Sequence, residues 1–215
     1  MTQSLLIVTS VPGEAEAIGT PEGARVVVSG VGRTNAAAAT TEAILRDAPP
    51  GGFDAVLSAG VAGALPGGDL SIGDAVVASS CVYVEEGMIT PAGFADMTAL
   101  GFALGEFAGN AVPVDERLLS LIGPLFRTAP IATVATCSGT DAAAAEVARR
   151  TGAVAEAMEG AAVVHAARRL GVPAIELRVI SNTTGDRDRQ VWRLAEAMTA
   201  LGDAVRAARD AMRGA

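Results

Sequence analysis

Five side chains of this 215-residue sequence combine types and settings that could do chemistry: Glu14, Glu159, Arg178, Ser181 and Asn182. The last three close an apolar run, Pro173–Ile180, whose carboxyl end is where open α/β folds place their ligands. An Arg in a buried strand needs a partner. Glu176 shares its face, because side chains two apart on a strand point the same way. Arg178 is therefore either one half of a structural pair or a ligand contact. Asn182 can donate and accept, so it can read a ring nitrogen and an adjacent carbonyl oxygen. Ser181 stands beside it.

Two acidic segments complete the set. Met158-Glu-Gly-Ala-Ala162 puts Glu159 at a helix start, where the dipole favours a carboxylate. A carboxylate accepts two hydrogen bonds well, which suits a vicinal diol such as that of ribose. Pro12-Gly-Glu-Ala-Glu16 follows the first strand and offers Glu14 or Glu16 to the same crevice. Residues two apart on a helix point apart, so only one of them can face inward. Gly60-Val-Ala-Gly63 reads as a turn after a strand, its missing side chains letting the backbone of Val61, Ala62 and Gly63 approach a flat ring. It lacks the dinucleotide-binding glycine spacing. Arg33, after the Gly30-Val-Gly32 turn, could serve an anion site.

The elements that must position these residues follow from apolar runs and punctuation. Strands are expected over Ser4–Thr9, Ala24–Ser29, Ala55–Ala59, from about Ile72 towards Tyr83, over Pro130–Ala135, briefly at Val154–Ala155, and over Pro173–Ile180. A helix capped by Thr34 or Asn35 runs to Arg46. Others cover Val114–Ile122, Asp141–Arg150, Met158–Leu170 and Asp188–Arg213. The last is amphipathic, with Val191, Leu194, Met198, Leu201 and Val205 on one side. From Glu86 to Pro113 the pattern suggests a loop with one short helix. The whole predicts a single α/β domain, residues 1–215, with a mixed central β-sheet flanked by helices.

Composition narrows the function. Half the residues are apolar and only 3% aromatic, so small-residue helices should pack on a Val/Ile sheet. Net charge is −8, and no basic cluster offers the footprint of a nucleic-acid partner. All 16 basic residues are Arg, which excludes Schiff-base lysines and the Lys of a phosphate-binding loop. No apolar stretch is long enough for a membrane span, and no secretory signal is evident. Cys81 and Cys137 have no metal-like spacing, which predicts reduced, structural thiols and a cytoplasmic location. His165, six residues past Glu159 and on the other helix face, reads as structural. Trp192 reads as a packing residue of the last helix or as a wall over the substrate.

In order along the chain, Val28-Ser-Gly-Val-Gly32, Ser58-Ala-Gly-Val-Ala-Gly-Ala-Leu65, Ile72-Gly-Asp-Ala-Val-Val77, Ser138-Gly139, Met158-Glu159 and Arg178-Val-Ile-Ser-Asn182 resemble the methylthioadenosine/adenosylhomocysteine nucleosidases of the nucleoside phosphorylase and nucleosidase superfamily. Ser181-Asn-Thr-Thr-Gly-Asp-Arg-Asp188 with Trp192 and Ala157-Met-Glu-Gly-Ala-Ala162 is most similar to the futalosine hydrolases within it. That resemblance implies a purine nucleoside substrate, release of hypoxanthine from futalosine in an alternative menaquinone pathway, no cofactor and no metal, and a homo-oligomer. It implies that Glu14 activates the attacking water, Glu159 grips the ribose diol with Met158 beside the sugar, and Val61, Ala62 and Gly63 surround base and sugar. Asn182 then falls where adenine-specific relatives carry an Asp. Hypoxanthine presents a carbonyl at that point, which an ionised Asp would repel and an amide can meet.

Overall fold

The computed structural model describes residues 4–214; the two ends of the expected 1–215 span, residues 1–3 and 215, lie outside them. The chain begins with strand β1 (Leu5–Thr9), helix α1 (Pro12–Ile18), β2 (Ala24–Val28), α2 (Arg33–Arg46), β3 (Ala55–Ala64) and β4 (Ala75–Tyr83). A hairpin of β5 (Gly87–Thr90) and β6 (Gly93–Asp96) leads into α3 (Met97–Leu100), β7 (Ala111–Pro113) and α4 (Glu116–Ile122). Then come β8 (Arg127–Thr133), α5 (Asp141–Thr151), β9 (Ala155–Ala157), α6 (Gly160–Arg169), β10 (Ala174–Thr183) and α7 (Leu194–Arg213).

The main sheet is mixed. Parallel pairs join β2, β1, β3 and β10, while β10 meets β4, and β3 meets β9, antiparallel. Parallel β4–β8 and β8–β9 pairings complete a closed circuit through β10, β4, β8, β9 and β3. The α/β expectation is thus met, with the sheet curled partly into a barrel. Strands with both faces covered should read as continuous apolar runs, and Leu6, Ile7, Leu57, Ile175, Leu177 and Ile180 are fully buried. α6 packs between α2 and the sheet, and α7 lies against β10, α1 and α4. Their small buried faces, Ala161, Ala162, Ala167, Ala197 and Ala208 among them, allow close packing on the strands.

Several expectations are corrected. The Gly60–Gly63 stretch is not a turn; β3 continues through it to Ala64 because β10 pairs with it along its length. Helix α2 starts at Arg33 with Gly32 at its cap, leaving Thr34 and Asn35 inside the helix. The Glu86–Pro113 region contains a hairpin, whose Met88 and Ile89 are exposed and leave no buried-face alternation to read. The final helix starts at Leu194, not Asp188; Val191 and Leu194 are about half exposed, and Trp192 instead forms a bridge with Asn182.

Candidate active site

Glu14 lies in the first turn of α1 and is 1% exposed, whereas Glu16 points to solvent. Both of its carboxylate oxygens are engaged. One oxygen accepts from Ser10 N (2.8 Å), Ser10 Oγ (2.8 Å) and Val11 N (3.2 Å), the other from Val61 N (2.9 Å). These donors fix a long side chain that would otherwise cost rotamer entropy to order.

Glu159 reaches the same region from the cap of α6. It does not cap the helix with its side chain; Thr133 Oγ1 instead accepts from Ala161 N at 2.8 Å. The Glu159 carboxylate accepts from Gly32 N at 3.0 Å and lies 3.4 Å from an Arg178 terminal nitrogen. Met158, half-buried, precedes it.

Arg178 sits between the two carboxylates, 2% exposed on β10. Of the two sequence alternatives for it, the structural pair with Glu176 is formed. Arg178 Nε donates to Glu176 at 2.8 Å, as the shared strand face predicts, while its terminal nitrogens extend towards Ser58 Oγ and the Val61 carbonyl at 3.4 Å each and towards Glu159. Neighbouring carboxylates hold its pKa above the ordinary arginine value against the opposing effect of burial. β10 pairs Arg178 with Gly60 of β3. A methyl group at Gly60 would lie 2.5 Å from Glu14 Oε1 and 2.6 Å from an Arg178 terminal nitrogen. The glycine therefore makes room for the protein's own charged groups rather than for a ligand ring.

Past Arg178 the β3–β10 register slips by one residue between Ile180 and Asn182. Such a bulge re-aims side chains. Successive strand residues normally face opposite ways, yet Ser181 Oγ lies 2.9 Å from Asn182 Oδ1 and 3.3 Å from the Ala62 carbonyl. Asn182 Nδ2 donates to the Thr183 carbonyl at 2.9 Å. Trp192 stands opposite Asn182, its indole N–H donating to Gln190 and the Arg187 guanidinium above its ring. Gln190 also bonds the Ser138 carbonyl, tying this segment to the loop after β8.

Sequence reasoning gave no role to Glu85, Glu86 or Glu156. Arg33 is held by Glu86 at 2.7 and 2.8 Å and by Glu85 at 3.3 Å. Glu156 is buried and accepts from Ser138 N (2.7 Å) and Oγ (2.6 Å); burial pushes its carboxyl up, the Ser138 bonds opposing this. The expected burial of Cys137 is corrected: it is exposed in the loop carrying Ser138, while Cys81 is buried. Asp186 accepts from Asp141 N and Arg189, closing this loop. His165 lies edge-on to Tyr83 and Phe107.

The chain has relatives among known proteins. The model of the Phosphorylase superfamily matches residues 13–213. A futalosine hydrolase of Streptomyces coelicolor is 40% identical over 86% of this chain and 78% of its own length. One from Acidothermus cellulolyticus is 39% identical over 95% and 92%. The native structure of Helicobacter pylori futalosine hydrolase superposes with a TM-score of 0.78 over 98% of both chains at 21% identity, a likeness of fold. The chain belongs to the phosphorylase superfamily.

Proposed function

We propose that this protein hydrolyses the N-glycosidic bond of futalosine, releasing hypoxanthine and dehypoxanthine futalosine in the alternative menaquinone pathway. The observation that carries the reading is the convergence of Glu14 and Glu159 on Arg178, with Asn182 four residues further along the same strand. Relatives at 39–40% identity that are futalosine hydrolases support the substrate.

In this mechanism Glu159 accepts hydrogen bonds from the ribose diol, and its charge favours the oxocarbenium-like sugar that forms as the C–N bond breaks. Met158 packs beside the sugar, and the Val61–Gly63 backbone bounds base and sugar. Glu14 orients a water over Gly60 and takes its proton as the new C–O bond forms, a role typically worth roughly 10²–10⁴ in rate. The electron pair of the broken bond leaves with the purine. Ser181 donates to Asn182 Oδ1 and one Nδ2 hydrogen goes to the Thr183 carbonyl, which leaves the second Nδ2 hydrogen to donate towards the purine O6 or N7. Neither a metal nor a cofactor takes part in these steps.

The competing reading is phosphorolysis. A phosphate would need an uncommitted cation near the Gly30–Gly32 turn. Arg33 is already paired with Glu85 and Glu86, which favours water as the nucleophile. Product analysis with phosphate present tests this: a free sugar supports hydrolysis, and a sugar 1-phosphate would establish phosphorolysis.

The proposal extends to residues 1–215 acting as one domain, in the cytoplasm, as a homo-oligomer. Free thiols suit a reducing compartment. Among the described residues no helix is long and apolar enough to cross a membrane. A monomer in sedimentation at working concentration would contradict the oligomer.

A further inference from the structure

Glu176 is a costly residue to bury. It is 0% exposed on β10, among Ile175, Leu177, Val179 and Ile180. One of its oxygens has no hydrogen-bond partner among the described residues. Burying a carboxylate so poorly compensated is unfavourable, and an apolar residue would meet the pattern of the strand. The chain also yields space to it: a side chain at Gly160 would overlap the Glu176 carboxyl. Gly160 follows Glu159 directly, so Glu176 lies immediately behind the site.

We infer that Glu176 is a positioning residue that holds Arg178 back from Glu159 and Glu14, leaving both carboxylates their charge for the nucleoside. The inference rests on the proposed roles of those two residues. Three carboxylates surround one guanidinium, and its contacts are unequal. The bond to Glu176 is 2.8 Å, and Glu159 is 3.4 Å away. Glu14 forms no ion pair with it, although both converge over Gly60. A guanidinium free of its rear anchor would close on Glu159 as a two-pronged pair, neutralising the charge that should meet the oxocarbenium-like sugar. The anchor also keeps Arg178 from closing on Glu14.

The charged and titratable groups facing Glu176 are Arg178 on its own strand, Cys81 on β4 and Glu159 on α6. Burial pushes the Cys81 thiol up, so it stays protonated. Burial pushes the Glu176 carboxyl up, and the charge of Arg178 beside it opposes this.

Glu176→Gln retains an acceptor for Arg178 Nε and removes the charge. With wild-type hypoxanthine release from futalosine established first, this variant is expected to lose roughly tenfold to a hundredfold in kcat, the scale of a charged hydrogen bond. KM should change little. Glu176→Asp keeps the charge on a shorter arm, so it should lower kcat by less than the Gln variant does, again with KM little changed. It also serves as the test should the Gln variant not fold. Native kcat in either variant, or a loss carried by KM instead, would overturn the inference. A wild-type protein without futalosine turnover would instead remove the functional reading beneath it.

Discussion

Glu159 accepts a 3.0 Å hydrogen bond from the backbone N–H of Gly32, joining the cap of α6 to the turn before α2 across 127 positions of sequence. The same carboxylate that is proposed to hold the ribose diol therefore also fixes the loop bearing Arg33. A carboxylate has capacity for about four acceptor contacts, so the two tasks are compatible. Glu159→Ala should lower kcat/KM by at least about a hundredfold, the scale of losing an electrostatic partner in a closed site. It should also speed hydrogen exchange at Gly32. Exchange at its native rate would show that the loop is held by other contacts.

Glu14→Gln should bind nucleoside normally and lose roughly 10²–10⁴ in turnover. The amide has the shape of the carboxylate but cannot take a proton from water. Because Glu16 faces solvent, Glu16→Gln should leave turnover unchanged. Single-turnover kinetics with substrate titration separates binding from chemistry. Normal turnover in the Glu14 variant would remove it from the mechanism.

Asn182→Asp should move selectivity from 6-oxopurines towards 6-aminopurines. Ser181 Oγ would still donate to the retained oxygen, and a second oxygen would replace the amide donor. The ratio of kcat/KM for inosine and adenosine reads this directly. An unchanged ratio would place base recognition elsewhere.

Glu156 supplies a pH prediction. Its folded pKa is raised, chiefly by burial. The stability it contributes is therefore fully present below the unfolded value, about 4.3, and is lost as pH rises through the folded value. Glu156→Gln removes that loss. The variant's Tm relative to wild type should rise as pH increases from about 4.3 through the raised folded value. Parallel Tm curves across this range would show that the Ser138 bonds fully offset the burial.

The sequence carried the local half of this architecture. Glu176 and Arg178 share a strand face by simple alternation, and their 2.8 Å bond follows. Glu14 rather than Glu16 faces inward because a helix separates residues two apart. The bulge at Ser181 was not legible, since the one-residue slip exists only in the pairing of β10 with β3. The same pairing turns Gly60–Gly63, a stretch rich in turn residues, into strand. Val191 continued the spacing of α7 by sequence alone, yet the backbone bridge between Asn182 and Trp192 holds that segment outside the helix. Glu85 and Glu86 drew no attention because their partner Arg33 lies more than fifty positions away.

The most direct test is hypoxanthine release by the purified protein from futalosine, measured beside inosine and methylthioadenosine, each with and without phosphate. The account predicts rapid release from futalosine at a rate independent of phosphate, with far slower turnover of methylthioadenosine. Release that requires phosphate, or a preference for methylthioadenosine, would contradict it.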